Sequence, residues 1–216
     1  MSQADRHPVA SRSGLKSAIA GGAVVVLLAL MALDTRVVVI GSEADVQGDV
    51  FNPEAFGDAQ FPAIRDSIET RAVAAADLAP EVQADAAAAG AKYGVGDGFG
   101  PVLPVTFTGV AGEGRSGIYP VTVEGMPEGI ALRVQTGPAI NGTELRDATG
   151  TIEFGQFTNQ IEYQDAGAAI NEAMKRDVLA GVDTSDLEGR TITVTGAFKL
   201  INPKNWLVTP VRLSVE

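Results

Sequence analysis

The feature that most constrains this chain is an uncharged run of 17 residues from Ser17 to Leu33. Its length lies at the short end of the about 17–25 apolar residues that a helix needs to cross a bilayer. Three basic side chains precede it, and basic residues on the short N-terminal side keep that side in the cytoplasm; they are Arg6, Arg12 and Lys16. We therefore predict a cytoplasmic tail over residues 1–16, a single membrane-spanning anchor over 17–33, and an extracytoplasmic domain after it.

A cleaved signal peptide is the alternative interpretation of this run. Signal cores are usually about 7–15 residues long and end in an A-x-A-like cleavage site. Cleavage after Ala32 would place Leu30 at the −3 position, where so large a side chain is unsuitable. The sequence contains no cysteine, so attachment of a lipid through sulfur is excluded as well. We favour an uncleaved anchor, followed by a polar linker over residues 34–50.

Charge and composition restrict the chemistry of the exported part. The chain has a net charge of −11, and residues 1–33 carry three of its 16 basic and one of its 27 acidic side chains, which leaves −13 beyond them. So acidic a surface repels phosphate backbones, and we expect no nucleic-acid partner. The only histidine is His7, in the predicted tail. Without imidazole or thiol groups, a Ser-His-Asp triad and most zinc or copper sites are excluded, and we expect no metal or cofactor.

A helical segment is predicted over residues 51–94. Asn52 is a good helix N-cap, Pro53 suits the first helical position, and Phe51 with Phe56 occupies the positions of a hydrophobic staple. A second helix is predicted over residues 77–93, with Pro80 in its first turn and an alanine-rich body. The glycine-rich stretch 94–101 then marks a joint before a β part.

From residue 101 the apolar period changes from helical to two, which indicates strands. Three strands are predicted before residue 135, then a helix capped by Asp165, then two strands that end near Val215, with an edge or bulge at Pro210. This order matches the OB-fold, a five-stranded partly open Greek-key barrel. We therefore predict an α+β chain: a transmembrane helix, a helical segment, and an OB-like barrel over 101–216 with one helix between strands 3 and 4.

The long segment between the third strand and the helix, residues 137–165, is the best candidate for a binding site, since long ordered loops are often functional. It could orient a polar ligand or a partner through an arginine, amides, a carboxylate and an aromatic ring, which are Arg146, Asn159, Gln160, Glu162 and Tyr163. The structural alternative is that Arg146 pairs with Asp147 or Glu162, the two amides bind loop backbone, and the tyrosine packs on the barrel.

Other patterns carry weaker signals. Glu153 and Glu162 could form a carboxylate pair for general acid–base work, although chance pairs abound in so acidic a domain. The segment 183–188 has oxygen ligands without the spacing of a calcium loop. The glycine-rich stretch 94–100 follows a helix rather than a strand, so a dinucleotide site is not indicated. We predict no catalytic residue.

Four segments carry a resemblance to a known family: GTELRD at 142–147, GQFTNQIEY at 155–163, ADAAAAGAKYG at 84–94 and LEGRTITVTGAF at 187–198. They resemble a domain-of-unknown-function family of predicted periplasmic lipoproteins that are often encoded beside sugar ABC transporter genes. The chain departs from the family pattern before RVVVI at 36–40, where a membrane helix replaces the lipobox cysteine.

The resemblance implies a context rather than a mechanism. It implies that the chain is an accessory or binding protein at the outer side of the cytoplasmic membrane, with transporter components or a saccharide as partner. The alternative hypothesis is a carboxylate-dependent hydrolase that acts on a cell-envelope saccharide.

Overall fold

The computed structural model describes residues 12–34, 51–96 and 100–216. The first range is a single helix, α1 (Arg12–Asp34). Within the described ranges no helix combines the length and the apolar character that crossing a bilayer requires. The predicted single-pass anchor over 17–33 therefore has no support from the structure. Most of the predicted tail and of the linker over 34–50 lies outside the described residues.

Residues Phe51–Glu216 form one compact unit, which begins with a helix, α2 (Pro53–Arg71). The predicted start of this helix is confirmed. The Asn52 side chain accepts the backbone N–H of Ala55 at 3.1 Å, and the rings of Phe51 and Phe56 are 5.5 Å apart. The helix continues through Pro62, which neither ends nor restarts it.

The helix predicted over 77–93 is instead two helices, α3 (Ala75–Ala84) and α4 (Ala86–Tyr93). The break lies at Asp85, whose backbone is extended and whose carboxylate accepts the N–H groups of Ala87 and Ala88 at 3.0 Å each. An aspartate that bonds so locally favours an N-cap over a helix interior. Because α3 begins at Ala75, Pro80 lies inside it rather than in its first turn.

Five strands close into a barrel: β2 (Val102–Ala111), β3 (Ile118–Thr122), β4 (Ala131–Gln135), β5 (Thr191–Lys199) and β6 (Asn205–Val215). Their order is β2-β3-β4-β6-β5, and β5 pairs back with β2. The β4–β6 pair is parallel and the others are antiparallel. This confirms the predicted five-stranded OB-like order. A two-residue strand, β1 (Val73–Ala74), adds in parallel to β2 and was not predicted.

The predicted irregularity at Pro210 is confirmed, because the register of β5 against β6 shifts between Thr195 and Gly196, and Gly196 faces Pro210. The proline does not mark an edge, since β6 lies between β4 and β5. The barrel core contains Phe198 and Trp206, which are both 0% exposed and stack with centroids 4.5 Å apart. The indole N–H donates to the Pro203 carbonyl at 2.9 Å, so its polar atom is satisfied.

Between β4 and β5 the chain forms a short helix α5 (Glu144–Asp147), a 3₁₀ turn (Phe154–Gln156), helix α6 (Gln160–Met174) and a π-helical turn (Lys175–Leu179). The helix predicted between the third and fourth strands of the barrel, here β4 and β5, is therefore confirmed. Its N-cap is Asn159 rather than Asp165. Helix α6 packs closely against α2, where a Cβ at Gly57 would collide with the backbone of Ala169. Only glycine allows the two helices to approach so closely.

Candidate functional site

The segment predicted to bind a ligand, residues 137–165, contains a buried arginine whose contacts lie within the segment itself. Arg146 is 8% exposed. Its Nε donates to Asp147 Oδ1 at 2.8 Å and its Nη1 donates to the Tyr163 carbonyl at 3.2 Å. Its guanidinium carbon lies 3.7 Å from the centroid of the Tyr163 ring, which is cation–π geometry. The structure thus brings together two of the predicted residues, Arg146 and Tyr163, through contacts that also stabilise the fold.

Asp147 connects this arginine to the barrel. Its Oδ2 accepts from Thr143 Oγ1 at 2.6 Å and from Lys199 Nζ on β5 at 3.1 Å. Burial alone would raise the pKa of the Asp147 carboxyl, but the hydrogen bonds from Arg146, Thr143 and Lys199 outweigh burial and hold this pKa below its ordinary value. Asp147 is therefore a charged carboxylate between two cations, which is a structural arrangement.

In a second carboxylate of the segment, that of Glu144, burial outweighs the hydrogen bonds. Its Oε2 lies 3.5 Å from Thr209 Oγ1, a long hydrogen bond, and that hydroxyl also accepts from Gln135 Nε2 at 2.5 Å. Burial raises the pKa of the Glu144 carboxyl above its ordinary value, and the charge of Lys199 only partly opposes this shift. Glu144 and Asp147 are three positions apart and belong to one polar cluster. The pKa of Glu144 is nevertheless raised, whereas the pKa of Asp147 is lowered.

The remaining predicted residues lie at the N-terminus of α6. The Asn159 side chain accepts the N–H groups of Ile161 and Glu162 at 2.9 and 3.0 Å. The Glu162 carboxylate accepts the N–H of Thr158 at 2.9 Å. Both are helix-capping contacts. The Gln160 side chain is exposed and makes no hydrogen bond within the described part of the chain.

The proposed carboxylate pair of Glu153 and Glu162 receives no geometric support. Glu153 forms a capping box with Gln156 at the 3₁₀ turn, and Glu162 caps α6. Each carboxylate accepts backbone N–H groups, so neither stands free above a common cleft. The described residues also contain no group of three or more histidine, cysteine, aspartate or glutamate side chains that could hold a metal ion.

An aromatic surface, which sequence reasoning missed, lies beside the arginine. It comprises five of the 12 aromatic side chains of the protein: Phe51, Phe56, Phe154, Phe157 and Tyr163. Adjacent rings contact one another with centroids 5.3–5.6 Å apart. Phe154 is 53% exposed, and Ile161 in the first turn of α6 is 70% exposed. The signal available in the sequence was three aromatic residues within ten positions, 154–163.

Comparison with known proteins identifies the chain's relatives. A family model described as "Predicted periplasmic lipoprotein (DUF2291)" matches residues 23–214. The chain belongs to this family. The match covers most of the sequence and confirms the resemblance noted from its motifs. The family description indicates an extracytoplasmic, membrane-associated location, and assigns no activity to its members.

The fold also has a relative of known structure. The crystal structure of an OB-fold protein from Thermotoga maritima MSB8, at 1.90 Å resolution, is similar with a TM-score of 0.61. The alignment covers 78% of this chain and 100% of that one at 16% identity, which establishes the fold alone. No curated protein matches the DUF2291 chain.

Proposed function

We propose that this DUF2291 protein is a non-catalytic accessory protein that binds another membrane protein on the outer side of the cytoplasmic membrane. The observation that carries the proposal is the exposure of Phe154 on the aromatic surface. A single exposed phenylalanine is ordinary, but one that lies at the edge of a contiguous cluster of four other rings supports a binding surface here.

The chemistry of this surface favours a protein partner. Aromatic residues and arginine dominate the binding energy of protein interfaces, because they bury large areas at a low cost in side-chain entropy. Here the Arg146–Tyr163 contact and the ring–ring contacts fix the side chains around Phe154 before any partner arrives. The capping carboxylates Glu153 and Glu162 directly precede Phe154 and Tyr163 in the sequence, so the proposed partner presents an apolar centre with basic residues beside it.

The location in the proposal combines the family description with the sequence. The sequence has no cysteine to carry a lipid. The apolar run from Ser17 to Leu33 would then attach the protein to the membrane, with the basic N-terminal side inside and the domain outside. The family resemblance suggests a sugar ABC transporter component as the partner. The acidic charge of the domain supports the further expectation that it binds no nucleic acid.

Site-specific photo-crosslinking in intact membranes tests the partner. A photo-reactive phenylalanine analogue at position 154 should form a discrete crosslinked product, and mass spectrometry should identify an integral membrane protein in it. The matched control is the same analogue at Ile201, which is 73% exposed and lies in the β5–β6 loop. Equal crosslinking patterns at the two positions would contradict the proposal.

Membrane attachment is tested separately. The full-length protein should remain in the membrane pellet after washes with high salt and with alkaline carbonate, and its measured mass should include residues 1–33. A soluble species that begins near residue 33 would show that the apolar run is a signal peptide instead.

A further inference from the structure

A second candidate site is a groove of about 290 Å³. Its lining is mostly polar, unlike the aromatic surface around Phe154. It is bounded by α2, by the π-helical turn and by the outer face of β5 and β6. The polar side chains that line it are Arg65, Asp177, Thr193, Thr195, Arg212 and Ser214. Its volume lies near the lower limit of the about 300–1,000 Å³ typical of small-molecule pockets. It can therefore hold a small molecule and not a long segment of polymer.

The floor of the groove is built by cross-strand pairs. Thr193 pairs with Ser214, and Thr195 pairs with Arg212, across β5 and β6. Side chains alternate along a strand, and the intervening residues Val194 and Leu213 are buried in the barrel. The four polar side chains therefore stand together on the outer face.

Hydrogen bonds orient the hydroxyls of this floor. Thr106 Oγ1 donates to the Val194 carbonyl at 3.2 Å and lies 2.9 Å from Thr195 Oγ1. Because the Thr106 proton is engaged with the carbonyl, Thr195 is the donor in the second bond. The Thr195 oxygen is thus left to accept a hydrogen bond from the groove. The Ser214 hydroxyl has no hydrogen-bond partner among the described residues and can both donate and accept.

The wall of the groove holds two arginines with unused donors. Glu69 Oε1 lies 2.6 Å from Arg212 Nε and 3.9 Å from Arg65 Nε. These are ion pairs without hydrogen-bond alignment, since Arg65 Nε and Glu69 Oε1 are buried with no hydrogen-bond partner in the described part of the chain. The terminal guanidinium nitrogens of both arginines also lack a hydrogen-bond partner there, although the Arg212 side chain is 64% exposed, so the buried atoms without a partner are Arg65 Nε and Glu69 Oε1. Buried polar atoms without partners are uncommon and call for a bound molecule or water.

We propose that this groove binds a neutral, hydroxyl-rich small molecule. Two cations, Arg65 and Arg212, face three carboxylates: Glu69 and Asp66, which lie in ion-pair contact with them, and Asp177 in the lining. An anionic ligand therefore gains nothing overall from the groove. The groove offers donors, acceptors and hydroxyls side by side, and hydroxyl groups on a ligand can satisfy all three because each donates and accepts. A phosphate or carboxylate ligand would use the arginines but would be repelled by these three carboxylates.

The test is a binding assay on the full-length protein, purified in a detergent without a sugar headgroup. The probes are myo-inositol, D-glucose and D-xylose as neutral polyols, with D-gluconate and inorganic phosphate as anions of similar hydrogen-bonding capacity. Saturation-transfer NMR and calorimetry should show saturable binding of at least one neutral polyol, and at least 10-fold weaker binding of both anions.

Matched variants locate the binding. Thr193→Val together with Ser214→Ala removes two hydroxyls and little volume, and should weaken polyol binding at least 10-fold. Thr122→Val is the control, because Thr122 is an exposed threonine on β3, away from the groove. The inference is overturned by no saturable binding of any neutral probe, by tighter binding of phosphate or gluconate, or by equal effects of the groove and control variants. Crosslinking at Phe154 is independent of every one of these outcomes.

Discussion

The barrel and the segment between β4 and α6 are stabilised in different ways. The barrel buries apolar side chains on alternate positions of five strands, with Phe198 stacked on Trp206 at its centre. The segment contains a buried arginine, two carboxylates with opposite pKa shifts, and rings of the aromatic surface, of which Phe154 is 53% exposed. Burial of apolar side chains is the main stabilising contribution in the barrel, whereas the segment depends on specific polar partners. Changes in the barrel should therefore affect only stability, while changes in the segment should separate stability from binding.

The largest effect is expected in the barrel. Trp206→Ala removes a fully buried ring that fills the interior beside Phe198, and such changes cost about 3–5 kcal/mol in unfolding free energy. Urea denaturation followed by circular dichroism measures this cost. Ile201→Ala, at an exposed position in the adjacent loop, is the control and should change the unfolding free energy by less than about 0.5 kcal/mol. A cost for Trp206→Ala below that of Arg146→Ala would reverse the comparison.

Arg146→Ala comes next. It leaves Asp147 with only one of its two cations, frees the Tyr163 ring from its stacking partner, and should cost about 2–4 kcal/mol. Arg115→Ala is the matched control, because Arg115 forms an ion pair at the surface with its side chain 83% exposed; exposed pairs contribute about 0–1 kcal/mol. Equal losses of unfolding free energy in the two variants would show that burial of Arg146 does not increase its contribution to stability.

Partner capture by an Arg146 variant separates the two roles of this residue. If the arginine only stabilises the fold, capture should fall only as far as the folded fraction does. In the double variant Arg146→Ala, Asn159→Ala, unchanged melting temperature with lost capture would make the pair a recognition site. Unchanged stability together with unchanged capture would show that these two residues neither stabilise the fold nor recognise the partner.

The barrel could be predicted from the sequence because its signal is periodic. Ile192, Val194 and Phe198 recur on one face of a strand, and no other residue has to be known for that pattern to be read. The closed strand order followed from counting elements. The break at Asp85 and the start of α6 at Asn159 were missed because aspartate and asparagine cap helices only in competition with neighbouring candidates, here an alanine run and Asp165.

The segment's contacts could be predicted only as residue types. The pairing of Arg146 with Asp147 was among the alternatives that the sequence left open. The Lys199 contact was not, since Lys199 lies 52 residues further along the chain and its approach depends on how β5 closes the barrel. The aromatic surface likewise joins Phe51 to Phe157, and neither periodicity nor spacing relates two residues so far apart.

The two carboxylates of the polar cluster offer a smaller and more discriminating test. Because burial raises the pKa of Glu144 above its ordinary 4.5, the folded state binds this proton more tightly than the unfolded state does. Its contribution is therefore favourable below pH 4.5 and is lost as the pH rises through the folded-state pKa. Glu144→Gln should stabilise the protein at pH 7 by about 1 kcal/mol, and this gain should disappear below pH 4.5.

Asp147→Asn should show the opposite dependence. The pKa of Asp147 lies below its ordinary 3.8, so its stabilising contribution is present above pH 3.8 and is lost as the pH falls through the lower, folded-state pKa. The variant should be destabilised at pH 7 and should approach the parent protein only in that acidic range. Denaturation curves at several pH values measure both variants, and parallel pH profiles for the two would contradict the opposite shifts.

The smallest effect on stability, and the largest on binding, is expected at the aromatic surface. Phe154→Ser removes a ring that is already 53% exposed, so the unfolding free energy should change by no more than about 0.5–1 kcal/mol, the worth of its edge contact with Tyr163. Partner capture should nevertheless fall at least 10-fold, because truncation of one central aromatic residue of an interface commonly costs about 2 kcal/mol or more. Ile201→Ser, which removes an apolar side chain that is even more exposed, at 73%, from the β5–β6 loop, should leave capture unchanged. If both variants weaken capture equally, general surface hydrophobicity explains the capture of the partner. The segment between β4 and α6 would then contribute to the stability of the fold and not to binding.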